Sequence, residues 1–301
     1  MKLQFKHQKF QADAAKAVVD VFAGQPYLTP TYMMDRGSGT YQIGMEEEHD
    51  FTGWRNERIV PELSDALILE HLNKIQRANQ IAPSPKLEGR YNLTIEMETG
   101  VGKTYTYIKT MFELNRRYGW SKFIIVVPSI AIREGVAKSL DMTNDYFYTS
   151  GRDGNEGYGK KLHSFIYDSS NLNRLDEFAQ SPDIQVMIIN MQAFNTSMKE
   201  NGRSKDARII FSERDDFGSR RPIDVINASH PIMILDEPQK MGGKATQAGI
   251  RLFKPLFTLN YSATHKIKHD LVYALDALDA FDFAALTEVV DGREAGNVYA
   301  G

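Results

Sequence analysis

The residues Met97-Glu98-Thr99-Gly100-Val101-Gly102-Lys103-Thr104 restrict the fold of this chain more than any other feature. They stand between a short strand-like stretch, 93–96, and a segment with Ile108, Met111 and Phe112 at helical spacing and Leu114 at its margin. A strand that turns through glycines into a helix is the first half of a right-handed parallel crossover. Glycines let successive backbone N–H groups turn inward around an anion, and a helix N-terminus adds a favourable dipole. Lys103 then offers a point charge to phosphates, and the Thr104 hydroxyl a ligand to Mg²⁺. The strict phosphate-loop pattern has a glycine where Met97 stands, and the rest, Gly-x-Gly-Lys-Thr, is dense. A glycine turn that binds nothing is the alternative reading of this motif alone.

Later segments repeat the alternation. The run Phe123-Ile124-Ile125-Val126-Val127 suits a strand covered on both faces, and 184–189, 232–235 and 259–262 read as further strands. A helix is expected over 131–140. Strands separated by helices predict an α/β fold with a doubly wound, mostly parallel sheet. Upstream, Phe10, Ala14, Ala17, Val18, Val21 and Phe22 predict one amphipathic helix, and Leu63, Leu67, Leu72 and Ile75 a second, closed by Ala82-Pro83-Ser84-Pro85. Residues 28–61, with the acidic run Glu46-Glu47-Glu48, read as an insertion or long loop. Residues 199–222 read as another, mixing seven basic with five acidic side chains.

The second motif is Pro231-Ile232-Met233-Ile234-Leu235-Asp236-Glu237, an apolar strand ending in adjacent carboxylates. Asp236 at such an end can hold Mg²⁺ through water, and Glu237 can polarise an attacking water. An acidic strand end that merely meets solvent is the alternative. Third in order comes Tyr261-Ser262-Ala263-Thr264, whose hydroxyls Ser262 and Thr264 can link a nucleotide's state to another surface.

Composition removes several classes. Without cysteine there is no disulfide scaffold, thiolate zinc site or cysteine nucleophile. Lys and Arg number 36 against 39 Asp and Glu, so no global basic excess announces nucleic acid, though a local basic groove remains open. The apolar runs fall far short of a membrane span, and the N-terminus offers no signal-peptide core. A cytoplasmic protein without membrane contact is expected.

Together the three motifs resemble motifs I, II and III of superfamily 2 helicases. The longer strings Thr94–Thr104, FIIVVPSIAIRE from Phe123, Asp236-Glu237-Pro238-Gln239 and Tyr261-Ser262-Ala263-Thr264-His265 narrow this to the restriction (Res) subunits of type III restriction-modification systems. In that family Met-Glu-Thr-Gly-x-Gly-Lys-Thr is the expected form, so Met97 is no defect. The resemblance covers about residues 10–280.

It implies a three-layer RecA-like P-loop NTPase lobe using ATP and Mg²⁺. Thr99, Gly100, Val101, Gly102, Lys103 and Thr104 would hold nucleotide, Thr104 and Asp236 the metal, Lys103 and Glu237 the catalysis, and Ser262 and Thr264 the coupling. Gln11 resembles the glutamine that reads adenine in related helicases; an exposed helix residue is the alternative. Ser129 and Arg133 match a motif that touches the DNA backbone, with helix capping and a surface ion pair as their alternatives.

The implied partners are double-stranded DNA and a modification (methyltransferase) subunit. The 37 residues after Thr264 cannot form a second motor lobe, so that lobe and the nuclease domain are expected outside this chain. The expected organisation is 1–90 as N-terminal helices and an insertion, 91–265 as the ATP-binding lobe with an insertion at about 198–222, and 266–301 as a tail. Another superfamily 2 DNA translocase, or a truncated non-hydrolysing DNA-binding relic, are the rival functions. A kinase or GTPase is disfavoured, since no Asn-Lys-x-Asp guanine reader is present.

Overall fold

A computed structural model of the chain describes residues 8–34, 52–89, 91–150, 157–194, 205–241, 244–265 and 269–275. The first helix, α1 (Lys9–Val21), forms where Phe10, Ala14, Val18 and Val21 repeat on one face, and that face is buried. A short antiparallel pair follows, β1 (Thr31–Met33) with β2 (Gly53–Arg55). Helix α2 (Asp65–Ala78) starts at Ser64, whose side chain accepts from the Leu67 N–H, and buries Ile68 and Leu72.

The remaining elements alternate. Strand β3 (Asn92–Met97) leads to α3 (Lys103–Tyr118), β4 (Lys122–Val127), α4 (Ile130–Thr149), β5 (Leu162–Ile166), α5 (Asn173–Gln180) and β6 (Ile184–Asn190). Then come α6 (Lys205–Phe211), α7 (Pro222–Ala228), β7 (Ile232–Asp236), α8 (Lys244–Leu252), β8 (Thr258–Ser262) and β9 (Asp270–Leu275). The order β5-β6-β4-β7-β8-β3-β9 makes a seven-stranded sheet, parallel at every pairing.

Side chains of the central strands alternate between two cores, as the period of two demands. Phe123, Ile125, Val127, Val186, Ile188, Ile232 and Ile234 pack with the residues of α1 to α4. Ile124, Val126, Met187, Ile189, Met233 and Leu235 pack with those of α5, α7 and α8. The result is the expected three-layer α/β lobe. Both faces of β4 and β6 are buried, which is why those strands read as unbroken apolar runs.

Several details differ from the sequence reading. Helix α4 runs to Thr149, beyond the expected end at 140. The sheet does not stop at Ser262: β9 joins the far edge beside β3, within the stretch read as a tail. Two side chains at the end of α2 finish that edge, Gln76 in its last turn donating to the Leu271 carbonyl at 3.0 Å and Asn79, just after it, to the Val272 carbonyl at 2.8 Å. Strand β5 was not foreseen either.

Within the expected insertion at 198–222, the described part is no bare loop. Ile210 and Phe217 sit in the second core. The long irregular segment also contributes Asn56, fully buried, which clasps the start of β4. Its amide donates to the carbonyls of Lys122 (3.0 Å) and His230 (2.9 Å), and its oxygen accepts from Ser121 N–H (2.7 Å) and Lys122 N–H (3.0 Å). The acidic run 46–48, the stretch 195–204 and residues 276–301 lie outside the described residues. Among the described residues no helix is long and apolar enough to cross a membrane.

Candidate functional site

In a parallel sheet the carboxyl ends of the strands share one edge, and ligands bind there. Three neighbours, β7, β8 and β3, bring Asp236-Glu237, Ser262 and the glycine loop to that edge side by side. Ser129 and Arg133 follow β4, the next strand along.

The loop from Met97 to Thr104 needs its glycines for shape. Gly100 and Gly102 both hold φ of +85°, and Gly102 is the left-handed residue from which α3 starts. A Cβ on Gly102 would come within 2.5 Å of the Gln11 amide nitrogen. That closeness identifies what Gln11 does here: its amide donates to the Val101 carbonyl at 2.9 Å. Gln11 is therefore not an exposed helix residue; it is only 8% exposed, lying on the loop from α1. At the other end of the loop, Thr99 N–H donates to its neighbour's Glu98 carboxylate at 2.9 Å.

Lys103 points at the acidic strand end. Its Nζ lies 3.1 Å from Glu237 Oε1 and 3.5 Å from the Met97 carbonyl. Glu237 itself has φ of +60°, an uncommon conformation for a residue with a side chain. Its N–H donates to the Tyr261 carbonyl at 2.9 Å, and its own carbonyl accepts from Lys240 N–H at 3.0 Å. Glu237 Oε2 accepts from the Gln239 amide and from Ser262 Oγ at 3.0 Å. The Ser262 hydroxyl has one proton, yet Gln239 Oε1 (2.7 Å) and the Thr264 carbonyl (3.1 Å) are also within its reach. It accepts from Thr264 N–H at 3.2 Å. Ser262 and Thr264 thus form one small network with Glu237.

The adjacent carboxylates are driven apart in acidity. Burial, and after it the charge of Glu237, pushes Asp236 up from 3.8 to about 6, against the opposing pull of Lys103 and Lys240. Burial also pushes Glu237 up, but the hydrogen bonds from Gln239, Lys103 and Ser262 outweigh it and hold that carboxyl below its ordinary value. At neutral pH the outer carboxylate is ionised and paired, while the inner one is ionised at a cost. A cation would relieve that cost.

One residue of the site escaped the sequence reading. Tyr107 is fully buried on α3, one turn beyond Lys103 and Thr104. Its ring meets Tyr261 edge-on, with centroids 5.6 Å apart. Its hydroxyl sits beside Thr104 and the Asp236 carboxylate but completes a well-formed hydrogen bond with neither. Burial, then the charge of Asp236, raises its pKa well above 10, so it keeps its proton. In sequence it reads as one more core aromatic.

Ser129 caps α4, accepting from Ile132 N–H at 3.4 Å, and Arg133 pairs with Glu134 at 2.9 Å. The structure thus accounts for both without DNA.

The residues present fit a magnesium nucleotide. The glycine cradle has the shape and the amine that phosphates require, and Thr104 and Asp236 offer oxygen donors suited to a hard divalent cation. Parallel sheet, glycine loop after β3 and acidic end of β7, with β8 between them, define an α/β RecA-like lobe. The chain belongs to a particular family of such proteins: the family model for the type III restriction enzyme, res subunit, matches residues 62–267.

Among curated relatives, the Res subunit of the type III restriction-modification enzyme EcoP15I from Escherichia coli is 29% identical over 236 residues. The EcoPI Res subunit from Escherichia phage P1 is 29% identical over 239. Both matches cover 73% of this chain and 23% of the relative, so the chain spans less than a quarter of their length. Solved structures with weaker likeness include the Sulfolobus solfataricus SWI2/SNF2 ATPase core in complex with dsDNA (10% identity, TM-score 0.38, 71% of this chain and 34% of that one). A nuclease-deletion mutant of the Type ISP restriction-modification enzyme LlaGI with a DNA substrate mimic is another (12%, TM-score 0.41, 74% and 21%).

Proposed function

We propose that this chain is the first motor lobe of a type III restriction subunit. It binds ATP with Mg²⁺ and, with the rest of the enzyme, couples hydrolysis to movement on double-stranded DNA. The observation that carries the reading is the convergence of Lys103, Glu237 and Ser262 from α3, β7 and β8, with Glu237 3.1 Å from one and 3.0 Å from the other.

Lys103 is paired with Glu237. Phosphate oxygens compete for the same amine, so binding draws Lys103 toward the loop and frees Glu237 Oε1 to accept a proton from an attacking water. Thr104 and Asp236 would hold the metal, Asp236 through water. When bound, the ion neutralises charge on the transferring phosphoryl group. The loop residues Thr99, Gly100, Val101 and Gly102 would hold the phosphates, and Gln11, fixed to Val101, would read the base. Ser262 and Thr264, tied to Glu237, carry the state of the site toward the second lobe. Ser129 and Arg133 lie on the same sheet edge, where a DNA backbone would pass. The partners, by family, are DNA, a modification (methyltransferase) subunit, and the second lobe and nuclease domain of the longer protein. The lobe alone binds nucleotide weakly and turns it over slowly, because half of the cleft and its transition-state arginine come from elsewhere.

Glu237→Gln tests this reading. The variant keeps a hydrogen-bonding side chain but loses the charge that competes for Lys103. Nucleotide affinity should hold or rise while hydrolysis by the complete enzyme disappears. Hydrolysis at the native rate would refute the assignment.

A further inference from the structure

We infer that Tyr107 is a positioning residue of the magnesium–nucleotide site, whose hydroxyl donates to the Asp236 carboxylate and fixes its orientation when metal is held there. The inference rests on the proposed nucleotide site and goes beyond the motif residues.

Three observations carry it. The Tyr107 hydroxyl is wholly buried and, with Thr104 and the Asp236 carboxylate beside it, meets neither at full hydrogen-bond geometry, a condition that costs free energy and calls for a reason at a functional site. It lies beside the two side chains that would hold the cation, Thr104 and Asp236. Its ring cannot swing away: it packs edge-on against Tyr261, whose own hydroxyl is 2.9 Å from Thr110 Oγ1, which donates to the Thr106 carbonyl at 2.9 Å.

Thr104 and Tyr107 are three residues apart on α3 and share a face. The tyrosine therefore braces the helix that carries Lys103 against β7. Through Tyr261, whose carbonyl accepts from Glu237 N–H, the same packing reaches the strand that carries Ser262. A carboxylate that holds a cation through water has oxygen capacity left over, and a neutral O–H beside it can fill that capacity. Ligand-supporting hydrogen bonds of this kind orient the metal-binding group.

Tyr107→Phe removes the hydroxyl and keeps the ring. The chain should fold as before, with a melting temperature within a few degrees of the wild type, since the hydroxyl has no well-formed hydrogen bond to lose. Thermal-shift titration with ADP would then be run with Mg²⁺ and with EDTA. Affinity for Mg·ADP should fall about tenfold, as for loss of a hydrogen bond to a charged group, while affinity for metal-free ADP stays unchanged. Equal loss in both conditions, or no loss in either, overturns the inference, and so does a large drop in melting temperature, which marks a structural role. Lys103→Ala serves as the control for the underlying reading. If it leaves ADP binding intact, the nucleotide site itself is misassigned, whatever Tyr107→Phe does.

Discussion

Holding Asp236 ionised inside the lobe is costly, and the cost is measurable. The carboxyl is buried at the end of β7 beside Glu237, which moves it from 3.8 to about 6. Each pKa unit is worth about 1.4 kcal/mol, so keeping the charge at neutral pH costs up to about 3 kcal/mol. Asp236→Asn keeps the shape and removes the charge. Its amide must still be hydrogen-bonded, so a net gain of about 1–3 kcal/mol is expected. In a chain of this size that raises the melting temperature by roughly 2–6 °C.

The sign depends on pH. Because the folded pKa is the raised one, the contribution is fully present below 3.8, where both states hold the proton, and is lost as pH rises through about 6. Wild type and Asp236→Asn should therefore melt together near pH 3.5, if the fold persists there, and diverge between about 4 and 6. They should stay apart at pH 7.5 in EDTA. Adding Mg·ADP should reverse the order, because only the wild type offers the cation a carboxylate. Calorimetric melts across pH decide the matter. A variant less stable than wild type at pH 7.5 without ligand would refute the reasoning, as would a gap that does not close in acid.

Asn56→Ala strands two carbonyls and two N–H groups at the foot of β4; a loss of about 2–4 kcal/mol is expected in chemical denaturation. Lys122, buried with its amine on the Phe178 and Ser181 carbonyls, is lowered by burial to about 7. As a base with a depressed folded pKa, it makes stability rise between about pH 7 and 10.5, and Lys122→Met should remove that slope from melts in this window. Gly102→Ala combines φ of +85° with a 2.5 Å approach to Gln11, so nucleotide affinity should fall by an order of magnitude or more, read by calorimetry. Gln11→Ala should partly relieve that clash, which a double-mutant comparison would detect.

The motifs were legible because their residue types are unusual for their positions. Two glycines, a lysine and a threonine between strand and helix have few purely structural uses, and the acidic pair after an apolar strand, common by itself, gains meaning from following them with further strands between. The central strands were legible because burial on both faces leaves no polar interruption. Edge strands lack that signature: in β5, His163 and Ser164 interrupt the apolar run. The strand β9 begins with the buried Asp270, and its sequence carries no turn signal that separates it from a helix.

Long-range polar partners were the least legible. Asn56 sits in a stretch with no periodicity, and its four bonds reach 65 or more residues along the chain. Gln11 was foreseen as a base reader or an exposed residue; its contact with Val101 spans 90 residues of sequence. Tyr107 lies inside an apolar helix face, where nothing in the local pattern marks its hydroxyl as a neighbour of Asp236.

The central claim is that Lys103 and its loop bind the phosphates of a nucleotide. Titrating the chain with ATP and Mg²⁺ by calorimetry, beside Lys103→Ala, tests it most directly. Binding by the wild type is expected to compete with the Lys103–Glu237 pair, to hold or rise in Glu237→Gln, and to be lost in Lys103→Ala. Equal affinity in wild type and Lys103→Ala would contradict it.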